Sequence, residues 1–528
     1  MKRKKAWTTG IAVAIATTTL LAGCSTNNTN STGNTNTTDN QGVDATAKPE
    51  GKNEKPTAFS LMTINYLPEE PKADHAIWQE IEKQTNTDVD LTFVPSNNYG
   101  EKFQVTLASG EIPDVILTTF IYDPTVLNAI KNGAFWDLTP YIDQYPNLKN
   151  NYPKESFENT KVDGKIYGLP RPRPLVGGVA FPALRKDWLD NLGLQEPQTM
   201  DELYNVLKAF TEQDPDGNKK NDTFGFAGSV AEGWMDRLAF VEDVFAGYQN
   251  SWTPINGKVE SRDLQPSTRE SLLWLRRAYE EGVLMPDFAI LKATQLNEFM
   301  QQGKVGMVPT AMDAINMGDA TTTLRKTVPN ADIVHLPYLV SPATNEKFAA
   351  KEGGFFGNYL ISKKVPEEKL KEILEFFNYG ASPEGMELAN FGIKDVHFTE
   401  ADGVKTKTEE FNTSGADAYR NIFTLVDSYS RINPTPNSPA DYFEKNKKII
   451  EQRLEHGVFI NTNGVTSETG LTFESEILKK LTDMKVKVIM GKEPIEAWDK
   501  LVEQTKNDAT MLKIQEEKTA SYNKLFGR

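Results

Sequence analysis

The sequence predicts an α/β fold whose first sheet is mainly parallel and whose mass is shared between two or more cores. Three observations carry this expectation. The chain has 528 residues, more than a single hydrophobic core organises. Strand and helix patterns alternate as β-α-β-α-β over residues 58–119, an order that gives a parallel sheet with helices on its faces. The composition, 38% hydrophobic and 25% charged, suits a soluble globular protein. No internal repeat is visible.

The first 57 residues are read as a sorting device and a tether. Lys2-Arg3-Lys4-Lys5 forms a basic start, and Ile11 to Ala22 a short apolar stretch diluted by threonines. That stretch is too short for a comfortable membrane span. It ends in Leu21-Ala22-Gly23-Cys24, which resembles a bacterial lipobox and holds the only cysteine of the chain. Residues 1–23 are then a lipoprotein signal peptide, and Cys24 carries a diacylglyceryl thioether and palmitate-type chains that hold the protein on a membrane. The plainer alternative is a secretory signal with a chance cysteine. Residues 25–42, STNNTNSTGNTNTTDNQG, contain no apolar side chain and cannot repay the entropy of ordering. The segment 24–57 is expected to be a flexible tether with a root-mean-square span of roughly 30 Å.

The folded part follows in order. Residues 58–66 (AFSLMTINY) read as a strand. Residues 74–84 read as a helix with Ile77, Trp78 and Ile81 on one side. Val89, Leu91 and Phe93 alternate with polar residues up to Pro95, as in a strand. Residues 99–109 read as a helix closed by Gly110, and 113–119 (PDVILTT) as a buried strand. In such sheets the ligand crevice lies beyond the carboxyl ends of the strands, here Asn65-Tyr66, Pro95-Ser96 and Thr118-Thr119. A second section begins near Gly164, with GKIYGLPRPRP, a strand in GVAFPAL and a short helix in RKDWLDNLGL. Thr199 and Glu202 have the spacing of a capping box. Residues 303–309 and 357–363 read as strands, with the chain returning to the first sheet between them. Leu370, Ile373, Leu374 and Phe377 share one helical face, as do Phe473, Ile477, Leu481, Met484 and Val488.

The bulk numbers exclude some functions. A net charge of -15 argues against a nucleic-acid partner, which needs a basic face. One cysteine rules out an internal disulfide framework and a cysteine-cluster zinc site. His75, His335, His397 and His456 are scattered, and no HExxH or GxSxG stretch occurs.

Five stretches together carry a resemblance: LASGEIPDVI (107–116), DGKIYGLP (163–170), RKDWLDNLGL (185–194), TMDELYNVLKAFTEQDPDGN (199–218) and GKEPIEAWDKLV (491–502). In this order, behind a lipobox, the chain resembles the bacterial extracellular solute-binding lipoproteins of carbohydrate ABC importers. It is most similar to the large members that bind oligosaccharides, alginate- and uronide-type binders included. The resemblance implies a two-lobe periplasmic-binding-protein-like fold with a hinge and a ligand cleft between the lobes. By this analogy the N-lobe is expected at 58–170 plus 310–365, and the C-lobe at 171–309 plus 366–528. It also implies a monomer on the extracellular face of the cytoplasmic membrane, with ABC permease subunits as partners. The basic start and long tether suggest a Gram-positive host.

Two kinds of site are expected. In DPDGNKKND, Asp214, Asp216, Asn218 and Asp222 fall on the first, third, fifth and ninth positions of a calcium loop, and the Lys220 carbonyl on the seventh. Similar loops occur in large sugar-binding members of the family. Lys219 replaces the usual sixth-position glycine, Gly225 stands where a glutamate would close the loop, and Thr223 where the family often has an acid. The expectation is a structural Ca²⁺; the alternative is an acidic turn after a helix. For the sugar, flat apolar faces and directional polar groups are needed. Trp234 and Trp252 lie in polar surroundings and are candidates for stacking or for surface packing, whereas Trp274 and Trp498 fit core positions. Phe355 and Phe356 follow two glycines near the expected hinge and suit a cleft wall or ordinary core. Tyr66 and Thr119 qualify by their place at strand ends. Arg171 and Arg173, held by prolines, suit a uronate carboxylate or interlobe salt bridges. Asp313 and Arg431 are loop charges with solvated surface as the default.

The function expected is that of a lipid-anchored binding protein that captures an oligosaccharide, uronate-bearing ones among the candidates, and delivers it to a permease. No catalysis is required. The alternatives are a secreted carbohydrate-active enzyme, which needs two carboxylates across a cleft, and a surface sugar sensor or adhesin.

Overall fold

The computed structural model describes residues 55–67, 71–72, 74–312, 324–424, 428–432, 434 and 440–526. The signal peptide, Cys24 and the tether up to residue 54 lie outside the described residues, as does Asp313. Nine strands make the two principal sheets: β1 (Thr57–Asn65), β2 (Thr87–Pro95), β3 (Val115–Thr118), β4 (Gly168–Pro172), β5 (Phe181–Arg185), β6 (Phe224–Phe226), β7 (Val305–Thr310), β8 (Ile333–His335) and β9 (Phe355–Ile361). The first sheet has the order β2-β1-β3-β9-β4 and the second β8-β5-β7-β6.

The expected β-α-β-α-β start is present. The strand Thr57–Asn65 leads through the helix Ala76–Thr85 to Thr87–Pro95, then through the helix Ser96–Ser109 to Val115–Thr118. His75 caps the first helix by accepting from the Ile77 N–H, and Gly110 closes the second with a left-handed φ of 71°. β1 runs parallel to both β2 and β3. Val115, Ile116 and Leu117 are fully buried on both faces, as suits a central strand covered by helices. β9 is antiparallel to β3 and to β4, so β4 points the same way as β3. The carboxyl ends of β1, β2, β3 and β4 and the amino end of β9 therefore share one edge of the sheet.

Hydrophobic packing divides the chain elsewhere than the lobe ranges implied by the resemblance. One core runs from Phe59 to Leu169 and resumes from Tyr359 to Phe423; the other runs from Phe181 to Ala350 and resumes from Leu481 to Tyr522. The helix Glu367–Gly380, expected in the C-lobe, buries Leu370, Ile373, Leu374, Phe376 and Phe377 against the first sheet. Phe376 meets Phe59 edge-on at 5.2 Å, and Phe377 meets Tyr359 at 5.2 Å. Each such side chain contributes about 1.5–3 kcal/mol by burial, which fixes the helix there. Conversely β8, expected in the N-lobe, pairs with β5 in the second sheet. The chain passes from the first core to the second at 173–180 and returns at 351–354.

The capping box at Thr199 and Glu202 forms as its spacing predicts. The long helix Glu468–Ile489 buries Leu481, Val488 and Ile489. Its buried Lys485 binds Glu242 and Asp263, each at 2.7 Å, which ties it to the second core. Phe473, expected on the buried stripe, is exposed at the amino-terminal end of this helix. Ahead of it, residues 457–466 form a strap between the cores. Asn461 donates to Asn159 on the first side at 2.7 Å, while Asn250 on the second side donates to Ile460 O and Thr462 Oγ1, both at 2.9 Å. Among the described residues no helix is long and apolar enough to cross a membrane.

Candidate ligand site at the strand ends

Six sequence-predicted residues meet at the carboxyl edge of the first sheet. Tyr66 follows β1 and Thr119 follows β3; Arg171 and Arg173 end β4; Phe355 and Phe356 begin β9. A glycine allows this. Gly357 has φ 84°, and an added Cβ would lie 2.5 Å from the Thr118 carbonyl oxygen, so only glycine fits. The register slips between Phe355 and Asn358, and this bulge leaves the Phe356 ring 43% exposed. Tyr66 is 48% exposed and Thr119 is exposed beside it. Phe120, which sequence reasoning passed over, is 53% exposed next to Thr119 and packs edge-on against Tyr122 at 5.9 Å. Phe355 is half-buried; its ring and that of Phe459 in the strap both press on Gly353.

The electrostatics are lopsided. Arg171 is 1% exposed, and Nε, Nη1 and Nη2 make no hydrogen bond of ordinary geometry; the Tyr359 hydroxyl lies within reach of a weak one and feels its charge. Its guanidinium sits 5.3 Å from the centre of the Phe356 ring, and that of Arg173 6.0 Å from the same ring. Burial, with the charges of Arg171, Arg420 and Arg431, pushes Arg173 well below its ordinary value, and Tyr66 opposes this. Two carboxylates answer these cations. Glu352 accepts from Arg431 at 3.2 Å and from the Gly178 N–H at 3.1 Å. Asp417 pairs with Arg420 at 2.9 Å and with Lys407 at 3.5 Å, and burial lowers Lys407 to about 8. An incompletely paired buried charge costs several kcal/mol, and the cations at this edge outnumber the two carboxylates that answer them. Arg431 is thus drawn to this group, but as the partner of Glu352 rather than as the solvated loop charge expected. Arg420 carried no sequence signal: it belongs to a short 3-10 turn, Ala416–Asn421, placed by packing alone.

The tryptophans divide. Trp234 is 55% exposed and sits on the second core's side, where its turn abuts Leu478 and Lys479. Trp252 is 9% exposed; its indole N–H donates to Glu474 at 2.5 Å, and Lys518 lies 4.8 Å above the ring. The stacking role expected of Trp252 is not supported, because a core hydrogen bond and a lysine already occupy the ring. Trp274 and Trp498 are core residues, as expected.

The 214–222 loop is a tight turn held by its own side chains. Lys219, at the position usually held by glycine, has φ 62°, the left-handed conformation that glycine would supply. The Asn218 amide donates to Asp216 at 2.8 Å and to Asp222 at 3.0 Å, bridging two like charges. Burial raises the Asp216 carboxyl above its ordinary value, with Asp214 and Asp222 adding to it. Asp214 Oδ1 is buried without a hydrogen-bond partner. Among the described residues no three histidine, cysteine or acidic side chains form a ready metal cluster. The donors nevertheless fit a hard cation once the Asn218 amide turns its oxygen inward.

The chain has relatives among known proteins. Residues 66–387 match the family model described as bacterial extracellular solute-binding protein. The chain is 31% identical over 518 residues to the polygalacturonan/rhamnogalacturonan-binding protein YtcQ of Bacillus subtilis, covering 96% of each chain. Its structure is similar to that of a solute-binding protein from Bifidobacterium longum infantis described as binding HMO, with TM-score 0.68, 20% identity, and coverage of 89% and 99%. It is also similar to an EF-hand mutant of the Streptococcus pneumoniae substrate-binding protein FusA in complex with fructo-nystose, with TM-score 0.62, 20% identity, and coverage of 88% and 100%.

Proposed function

The chain belongs to the bacterial extracellular solute-binding protein family, and from that premise we propose that it is a lipid-anchored receptor for a uronate-bearing oligosaccharide. Its relatives are substrate-binding proteins of carbohydrate ABC importers. The observation that carries the finer reading is the unpaired, buried guanidinium of Arg171 beside the Phe356 ring at the strand-end edge. A uronate offers a carboxylate for Arg171 and Arg173 and a C–H face for Phe356. Phe120 and Tyr66 extend the same surface for neighbouring sugars. Trp234 and Phe473 supply exposed rings on the second core's side. The name of the YtcQ relative, which specifies acidic pectic polymers, points the same way.

The lobes in this reading are 58–172 with 355–424, and the remainder from 173. Ligand bound between them stabilises the closed form over the open one, and a permease reads that form. The protein acts as a monomer, with Cys24 as its lipid anchor and the 24–57 segment as tether. Ca²⁺ in the 214–222 loop is structural: the loop's side chains turn on one another, and Asn191 donates to the Pro215 carbonyl at 2.9 Å, tying the loop to the helix Lys186–Leu192. An EF-hand is named in the description of FusA.

The test uses the full mature protein with trigalacturonate and, separately, maltotriose. A receptor raises its melting temperature with trigalacturonate and leaves the sugar intact. Cleavage products overturn the receptor reading in favour of an enzyme, and a shift with maltotriose alone overturns the uronate.

A further inference from the structure

Behind the ligand edge, two histidines lie against each other. His75 and His397 are 8% and 3% exposed, with rings 5.8 Å apart and 29° from parallel. Both use Nδ1 as an acceptor. The Ile77 N–H donates to His75 at 3.2 Å, capping the helix Ala76–Thr85, and the Ile393 N–H donates to His397 at 3.1 Å. His75 Nε2 lies 3.3 Å from Ser414 Oγ. Packing is tight: a Cβ on Gly392 would lie 2.6 Å from His397 Cβ and 2.9 Å from Ile77 Cδ1. A proton added to either ring must go to Nδ1. It turns an acceptor into a donor facing an N–H group, and a second proton sets two cations face to face.

This pair is joined to the Ala416–Asn421 turn, whose Arg420 is near enough to Arg173 for their charges to interact. Tyr419 lies 5.1 Å from the His75 ring and stacks on Trp78 at 5.6 Å; its hydroxyl donates to the Lys72 carbonyl at 3.2 Å. Tyr419 itself stands between Asp417 and Arg420 on the Ala416–Asn421 turn, and the Asn421 carbonyl accepts from Tyr359 at 2.6 Å. We propose that the His75–His397 pair is an acid-sensitive clasp that holds the start of the helix Ala76–Thr85 and the Arg420 turn in place at neutral pH and loosens both in mild acid. It rests on the ligand being seated at the strand-end edge, as read above.

The charged groups around the pair do not cancel the effect. Lys72 and the opposing histidine disfavour protonation of His75; Asp74 and Glu410 from the helix Glu409–Thr413 favour it. Glu410 is the charge facing His397. Asp74 and Glu82 face Tyr419, while Arg420 and Lys407 neutralise Asp417. Burial is the largest effect on both histidines and lowers both. With folded values depressed, the loosened state binds protons first. The clasp is therefore intact above about pH 6.5 and weakens as pH falls below it.

The experiment compares wild type with H75N/H397N, in which asparagine keeps an acceptor for each N–H group but does not titrate. Hydrogen exchange of residues 74–78 and 414–421, corrected for intrinsic rates, is followed at pH 7.5 and 5.5 without ligand, together with trigalacturonate affinity by calorimetry. Wild type should lose protection in both segments at pH 5.5 and bind about 10-fold more weakly, the effect of one displaced proton over about one pH unit. The ligand's own carboxylates, which titrate near pH 4, stay ionised throughout. The variant should change less than about twofold. Equal protection of wild type at both pH values, or the same acid loss in the variant, overturns the clasp. If wild type does not bind trigalacturonate at pH 7.5, the uronate reading fails and the exchange data alone decide. H75N alone serves if the double variant does not fold.

Discussion

Replacing Arg171 with methionine should make the protein more stable and worse at its task. Arg171 is 1% exposed and its three nitrogens lack partners, so the folded chain bears the desolvation of a full charge, which costs several kcal/mol. The contact with the Phe356 ring, at 5.3 Å, offsets only about 0.5–2 kcal/mol of this. Methionine fills the volume of the aliphatic stem without charge, and removing poorly compensated buried charge typically gains about 1–4 kcal/mol. In a lobe of this size each kcal/mol raises the melting temperature by about 2–4 °C. A charge-assisted hydrogen bond to a ligand carboxylate contributes about 1.5–3 kcal/mol, so trigalacturonate should bind roughly 10- to 150-fold more weakly. The assay is thermal melting without ligand and calorimetry with it, on wild type and R171M. A variant that melts lower and binds the uronide as before refutes the reasoning, since Arg171 would then be a satisfied structural residue.

Three further outcomes are expected. F356A removes the ring that both Arg171 and Arg173 approach and should weaken sugar binding by about 1 kcal/mol, read as a roughly fivefold change in Kd; unchanged affinity removes Phe356 from the site. A chelator should lower the melting temperature of wild type but not of D216A, whose cation loop is already broken; equal response of the two proteins places the ion elsewhere. His335 is fully buried with both ring nitrogens unpaired, and burial, with Arg453 and Lys445, holds it well below its ordinary value. The unfolded chain takes up that proton near pH 6.5, so stability is full above this pH and falls below it by up to about 1.4 kcal/mol per pH unit. Urea denaturation of H335L should lack this part of the acid loss, and parallel pH profiles for the two proteins would count against it.

How much was legible in the sequence depended on how local the cause was. Strand–helix alternation placed β1, β2 and β3 to within two residues at either end, because period and turn residues are local properties. The capping box at Thr199 and Glu202 was legible for the same reason, whereas the left-handed turn at Lys219, where glycine was wanting, was not. Strand ends mark ligand crevices in parallel sheets, so Tyr66 and Thr119 could be chosen without coordinates, and the prolines around Arg171 and Arg173 set them apart. Phe120 had the same positional signal and was missed. Trp252 looked free because its sequence neighbours are polar, yet its partners, Glu474 and Lys518, lie more than two hundred residues away.

By itself the sequence determined the class of the protein: an α/β chain of the solute-binding family whose first sheet is mainly parallel and presents side chains at its strand ends. Tertiary structure alone decided which segments share a core. It sent the helix Glu367–Gly380 to the first sheet and β8 to the second, because an amphipathic stripe specifies that it must be covered and not by what. It likewise gathered Arg171 and Arg173 at one aromatic ring, with the charges of Arg420 and Arg431 acting on Arg173. Charge clusters and buried histidine pairs depend on separations of a few ångströms between residues hundreds of positions apart, and that information exists only once the chain has folded.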